Sequence, residues 1–221
     1  KGITPFMFLL AAWNILLSRY SGQHDIQVGT PIANRTHQQT EDIIGFFVNT
    51  LVLRTRLSED QSFYELLEQV LQTTLDAYSH QDIPFEILVE KLNPERSMSR
   101  TPLFQALFVM QNASEELLSL ESVEARFITS EYDIAKFDLT LSVGEQENRF
   151  FYALEYSTDL FSAETIRQMS ERFSLLLEGL LQSPEKPFFG ISLLTEEDKN
   201  CLKQWNRTEK NFKENTNVIK F

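Results

Sequence analysis

A histidine close to a carboxylate is the smallest arrangement that could do acid–base chemistry. The chain offers one such arrangement, His80 and Asp82 in Ser79-His80-Gln81-Asp82. His80 also sits where a helical pattern runs out, and a histidine there interacts favourably with the negative end of the helix dipole. That helix-end role is the simpler of the two readings. His24 and His37 stand apart from it, and no two histidines share metal-ligand spacing, so no metal is expected. Arg96 and Arg100 lie close together on the polar stretch Glu95 to Pro102. They could clamp a phosphate or carboxylate bidentately, or pair with surface acids. A third candidate is an amide. Asn49, followed by Thr50, interrupts the apolar run Ile44-Gly45-Phe46-Phe47-Val48-Asn49-Thr50-Leu51-Val52-Leu53-Arg54. A strand buried on both faces reads as such a run, and an unpaired amide inside it costs roughly 1–3 kcal/mol. Asn49 is therefore either a satisfied structural group or one that lines a wet channel.

Other chemistries are missing from the sequence. It has no GxxxxGK[ST] loop, GxGxxG turn, GxSxG elbow or paired-cysteine motif. The single cysteine, Cys201, excludes an internal disulfide framework. A net charge of -12 over 221 residues argues against binding to nucleic acid or anionic membranes. No apolar stretch is long enough to span a bilayer, and Lys-Gly-Ile-Thr-Pro is not a signal peptide, so a cytoplasmic protein is expected. Eighteen phenylalanines suit a large core or an apolar tunnel.

The elements that must position these residues follow from spacing. Thr4-Pro5 starts a helix with Phe6, Leu9, Leu10, Trp13, Leu16, Leu17 and Tyr20 on one face, stopped by Ser21-Gly22. Asp25 to Ile32 reads as a strand, Asn34 to Glu41 as a loop, and Phe47 to Leu57 as a second strand. The capping box Ser62 to Glu65 opens a helix whose apolar face is Phe63, Leu66, Leu67, Val70, Leu71, Leu75 and Tyr78. Pro84 starts a short helix that Asn93-Pro94 closes. Leu103 to Gln111 and Val123 to Ser130 read as strands around an acidic loop, Asn112 to Glu121. Phe137 to Glu145 and Phe150 to Tyr156 form a hairpin, and Ser162 caps a long helix, Ala163 to Leu181. Thr195 caps a short helix ending near Trp205. These residues predict a mixed α/β sheet with packed helices and no self-contained active site.

The Ile44–Arg54 run resembles a core motif of the condensation domains of nonribosomal peptide synthetases. His80-Gln81-Asp82-Ile83-Pro84-Phe85-Glu86 resembles the next motif, and Arg96-Ser97-Met98-Ser99-Arg100-Thr101-Pro102-Leu103-Phe104-Gln105 the one after. Here Ser97 stands where the pattern usually has aspartate, and Thr101 where it often has asparagine. Thr4-Pro5-Phe6, Val28-Gly29-Thr30-Pro31 and Lys136 to Leu141 also fit. The resemblance covers about residues 1–194, and Trp205-Asn206-Arg207-Thr208 resembles the junction to an adenylation domain, so 195–221 is expected to be linker and the start of that domain.

The resemblance implies a chloramphenicol acetyltransferase-like lobe, one half of a two-lobed domain that forms peptide bonds between thioesters on carrier-protein phosphopantetheine arms. The implied partners are an N-terminal lobe, an adenylation domain, and donor and acceptor carrier proteins. The family's His-His-x-x-x-Asp-Gly signature is absent from the sequence, so no catalytic residue is expected in this chain and the chain alone is expected to be inactive. The resemblance also implies tunnel roles for Gly45, Phe46, Phe47 and Asn49, with the Asn49 amide orienting a pantetheine arm or a substrate carbonyl. It gives architectural roles to His80, Asp82, Pro84 and Arg100, Arg100 contacting the other lobe or shaping the acceptor side. If the Phe137–Tyr156 hairpin crosses to the other lobe, Phe137 to Val143 is expected to expose an unpaired surface here. The alternatives are a non-catalytic docking or scaffold module, or half of a related acyltransferase. The motif spelling resembles the type that joins two L-residues.

Overall fold

Helix α1 (Pro5–Ser21) starts and stops on local signals. The Thr4 hydroxyl accepts from the Met7 amide, Pro5 occupies the first turn, and Gly22 ends the helix in the left-handed region at φ 68°. Alanine at 11 and 12 keeps that side of the helix narrow. Ala11, Ala12, Trp13, Ile15 and Leu16 are all fully buried. The helix is thus enclosed on more sides than the one-faced pattern predicts, because helices pack on it from two directions as well as the sheet. The computed structural model describes residues 2–94, 100–111, 134–146 and 149–209. The expected strand Val123 to Ser130, the acidic loop before it and Arg96 lie outside the described residues.

Five described strands form one sheet: β1 (Asp25–Ile32), β2 (Asn49–Arg56), β3 (Ala106–Gln111), β4 (Leu139–Gln146) and β5 (Arg149–Tyr156), in the order β2-β1-β3-β4-β5. The three central strands are parallel, while β2 and β5 are antiparallel to their neighbours. Helices α1, α2 (Phe63–Ser79) and α4 (Ala163–Gln182) share one hydrophobic core with the sheet. Val28, Leu53, Phe108, Leu139 and Leu141 are among its strand residues.

Two expectations about strands are corrected. The run around Asn49 is not a strand buried on both faces. β2 lies at a sheet edge, with Leu51, Leu53 and Thr55 buried while Arg54 and Arg56 face out. The apolar residues before it lie outside the strand, and Ile44 and Phe46 are almost wholly exposed. Nor does Phe137 to Val143 expose an unpaired surface. β4 is paired on both sides and buries Leu139, Leu141 and Val143. Among the described strands the edge on this side of the sheet is one strand later, on β5, where Phe150 and Phe151 are exposed. On α2 the core-facing row runs Val70 to Thr74, four residues apart, so Leu75 turns to solvent instead of inward.

α3 (Phe85–Leu92) has Pro84 as its N-cap and Asn93 in the left-handed region as its C-cap. α5 (Glu196–Trp205) is held onto α4 mainly through Asp198, with a longer Arg167–Glu197 contact at 3.4 Å beside it. Asp198 accepts from the Thr195 amide at 2.9 Å and from Arg172 at 3.0 and 3.2 Å, and Arg172 also donates to the Tyr20 hydroxyl. The Thr195 amide, with Arg172 beside it, holds the Asp198 carboxyl below the usual carboxylate range. A depressed folded pKa stabilises the docked helix above the unfolded pKa, and that stability is lost as pH falls through the folded value. We therefore expect acid to loosen α5 in the wild type. Asp198→Asn is expected to show weaker docking at neutral pH and a flatter acid limb, read by hydrogen exchange of α5 amides between pH 7 and 3.

Candidate functional site

The start of β2 and the α2–α3 connection meet at one side chain. The Asn49 Nδ2 group donates to the carbonyl oxygens of Gln81 and Ile83, both at 2.8 Å. Its Oδ1 accepts from the Phe85 amide at 3.1 Å and the Thr50 amide at 2.9 Å. Two donors face two carbonyls and one oxygen faces two amides, so the orientation of the amide group is fixed by its partners. All four bonds are internal. Asn49 therefore ties residues 81–85 to the edge strand and has its hydrogen-bonding capacity filled. Pro84 removes an amide where none is needed, and the Phe85 amide at the start of α3 finds its acceptor in Asn49.

Around this tie lies a cleft of about 280 Å³ whose walls include Asn34, Phe47, Asn49, Asp82, Pro84 and Phe85. Phe47 is fixed from behind by Arg35, whose guanidinium carbon sits 4.4 Å from the ring centroid. Arg35 in turn donates to the carbonyl oxygens of Thr40 and Glu41. Phe85 stands edge-on to Phe104 at 5.7 Å, and Phe104 stacks on Phe137 at 5.5 Å. Phe104 is buried at 2% exposure and occupies the space where a side chain on Gly29 of β1 would be.

The structure brings Asn49 together with Asp82 and Pro84. Phe46 and Phe47 line the same cleft, whereas Gly45, His80 and Arg100 are not among its lining residues. His80 is the C-cap of α2, and its Nδ1 lies 2.8 Å from the Asp76 carbonyl oxygen and 2.9 Å from the Ser79 hydroxyl. That geometry has Nδ1–H donating into the helix end. Phe46 and Gly45 are exposed, and Arg100 is exposed at the start of its described segment. Among the described residues the cleft assembles no nucleophile with a base. What it offers is a rigid wall of aromatic rings and backbone held by one amide.

Sequence reasoning missed Arg35 and Phe104. The signal for Phe104 was Gly29, since an isolated glycine in a strand marks a close approach. Arg35 carried no comparable signal, because its partners are backbone carbonyls and one ring face.

Comparison with known proteins gives a consistent match. A sequence profile described as "Condensation domain" matches residues 1–203. The chain is 46% identical over 199 aligned residues to tyrocidine synthase 3 of Brevibacillus parabrevis, covering 90% of this chain and 3% of that protein. It is 44% identical over 212 residues to malpibaldin synthetase of Mortierella alpina, covering 96% of this chain and 4% of that protein. Among solved structures, an X-domain from teicoplanin biosynthesis superposes with a TM-score of 0.81 at 26% identity, covering 87% of this chain and 45% of that one. A four-domain nonribosomal peptide synthetase bound to AMP and glycine superposes at 0.78 with 25% identity, covering 90% of this chain and 16% of that one. The chain thus spans only a small fraction of the synthetases it matches.

Proposed function

The chain belongs to the condensation domain family, and from that premise we propose that it is the C-terminal lobe of a two-lobed condensation domain in a nonribosomal peptide synthetase. The observation that carries the reading is the extent of the match. The chain covers 45% of the teicoplanin X-domain chain, about one lobe's worth. In this reading the lobe, together with an N-terminal lobe bearing the His-His-x-x-x-Asp-Gly motif, forms a peptide bond between substrates on carrier-protein phosphopantetheine arms. Residues 1–194 form the lobe and 195–221 lead towards an adenylation domain.

The roles of the side chains follow from their placement. Asn49 acts by holding residues 81–85, and so the Phe47–Phe85 wall, in place beside the tunnel; Asp82 and Pro84 shape the same wall. Ile44 and Phe46, at 102% and 91% exposure, and Ile83 and Ile87 beyond them, give this end of the lobe an apolar surface that the N-terminal lobe would cover.

The test is reconstitution. The 221-residue chain alone, offered donor and acceptor carrier proteins loaded with aminoacyl groups, is expected to form no peptide bond. Adding the N-terminal lobe as a separate polypeptide is expected to restore it. Turnover by the chain alone would overturn the reading, and an N-terminal lobe that binds without restoring turnover would favour the scaffold reading. In the reconstituted pair, Ile44→Asp with Phe46→Asp is expected to weaken lobe association by tenfold or more, since losing burial of even one such side chain is worth about 1.5–3 kcal/mol. The melting temperature of the lone chain is expected to stay unchanged.

A further inference from the structure

The carboxyl ends of parallel strands and the amino end of a helix are both places where the backbone presents unspent polarity. In this fold they meet. The first turn of α1 at Thr4, the ends of β1, β3 and β4 at Thr30, Met110 and Glu145, and the last turns of α2 at Thr74 and Tyr78 enclose a crevice of about 500 Å³. The first turn of α1 carries no acidic residue, so its positive end is not offset locally. Thr74 is 1% exposed, and its Oγ1 is shielded from solvent with no hydrogen-bond partner among the described residues. A buried hydroxyl of this kind is energetically unfavourable until something pairs with it. Tyr78 adds a second hydroxyl, and burial pushes its phenol upward, so it remains a donor at neutral pH.

The charges define what fits. Glu145 on one side disfavours an anion, and the start of α1 on the other disfavours a cation. An uncharged dipole aligned between them suits both. We propose that the crevice binds an amide group of the carrier-bound substrate, its N–H towards Glu145 and its carbonyl towards Thr74 and the start of α1. The proposal rests on the condensation-lobe reading. The crevice also adjoins the end of the sheet where that reading puts the substrates, because Pro31 pairs with Thr50 and Ile32 with Asn49.

Two sources could supply the amide, a substrate side chain or the pantetheine arm, and two substrates separate them. In the intact synthetase module, Thr74→Val is compared with wild type using a glutaminyl and a norleucyl substrate on the same carrier. The expected result is a five- to tenfold rise in KM with kcat little changed. A rise confined to the glutaminyl substrate identifies the side-chain amide; an equal rise for both identifies the arm. Thr74→Ser is expected to restore the wild-type KM. On the 221-residue chain, Thr74→Val is expected to raise the melting temperature by about 2–4 °C, because it removes an unpaired buried hydroxyl. An unchanged KM for both substrates, or a lower melting temperature in Thr74→Val, would overturn the proposal. If the wild-type module forms no peptide bond at all, it is the lobe reading that fails, and N-acetylglutaminamide titrated into the chain by NMR still reads the crevice. Binding that Thr74→Val abolishes supports the crevice, and binding it leaves intact overturns it.

Discussion

Asn49→Asp is expected to lower the stability of the chain by roughly 2–3 kcal/mol, although the two side chains are nearly the same shape. The asparagine donates to the Gln81 and Ile83 carbonyls and accepts from the Phe85 and Thr50 amides. A carboxylate keeps the two accepted bonds and turns the other two into contacts between a charge and carbonyl oxygens. Asn49→Ala removes all four bonds, yet it introduces no repulsion and leaves room for water. We therefore expect the aspartate variant to be at least as damaging as the alanine variant. For a chain of this size, the melting temperature is expected to fall by about 4–12 °C. Thermal and urea unfolding check this, with hydrogen exchange expected to localise the loosening to residues 80–86. In an intact domain, peptide-bond formation is expected to fall by tenfold or more even below the new melting temperature, since displacing a positioning wall by about 1 Å can cost as much as a hundredfold. An aspartate variant as stable as wild type would show that the four bonds are not what holds this segment.

The second large effect is expected at Gly29. A Cβ there would lie 2.3 Å from the Phe104 ring, far inside van der Waals contact. Phe104 has nowhere to go, because Phe85 and Phe137 pack on it and it is 2% exposed. Gly29→Ala is expected to destabilise by about 3 kcal/mol, at the upper end of the usual range for overpacking. Gly144 makes the informative comparison. A Cβ there would meet the Phe151 ring at 2.2 Å, an even closer approach. Phe151 is 56% exposed on the open edge strand and can swing into solvent. Gly144→Ala is expected to cost under about 1 kcal/mol by the same reasoning. Urea midpoints of the two variants decide it, and equal losses at both positions would refute the argument from confinement.

Much of the fold was legible because its signals are local. Thr4-Pro5, the Ser62–Glu65 box, Pro84 with Asn93, and Thr195 mark helix ends by chemistry that needs no tertiary partner. The hairpin was readable because β4 and β5 pair through adjacent sequence. The place of each strand in the sheet was not. An edge strand and a central strand can share an apolar composition, so the run at β2 reads as a strand buried on both faces, and the sequence alone does not tell that β4 is paired on both sides. Burial at an edge depends on what lies beside it, and that is long-range information. The Asn49 site divides the same way. The sequence made it plain that the amide needed partners. That those partners are the carbonyls of residues 81 and 83 depends on how β2 and the α2–α3 connection pack, which spacing does not encode.

The strand order has a consequence for the making of the protein. β1 pairs with β2 soon after both are synthesised, but its other edge is completed by β3, which begins at Ala106. At about 5–20 residues per second, a ribosome takes several seconds to deliver that partner. Through that interval the nascent chain carries Val28 and Gly29 on an unfinished strand, beside helices already able to form. An open edge of this kind can pair with the wrong chain. The expected point of vulnerability in producing this chain is therefore the nascent polypeptide before residue 106, where chaperones that hold extended segments would act.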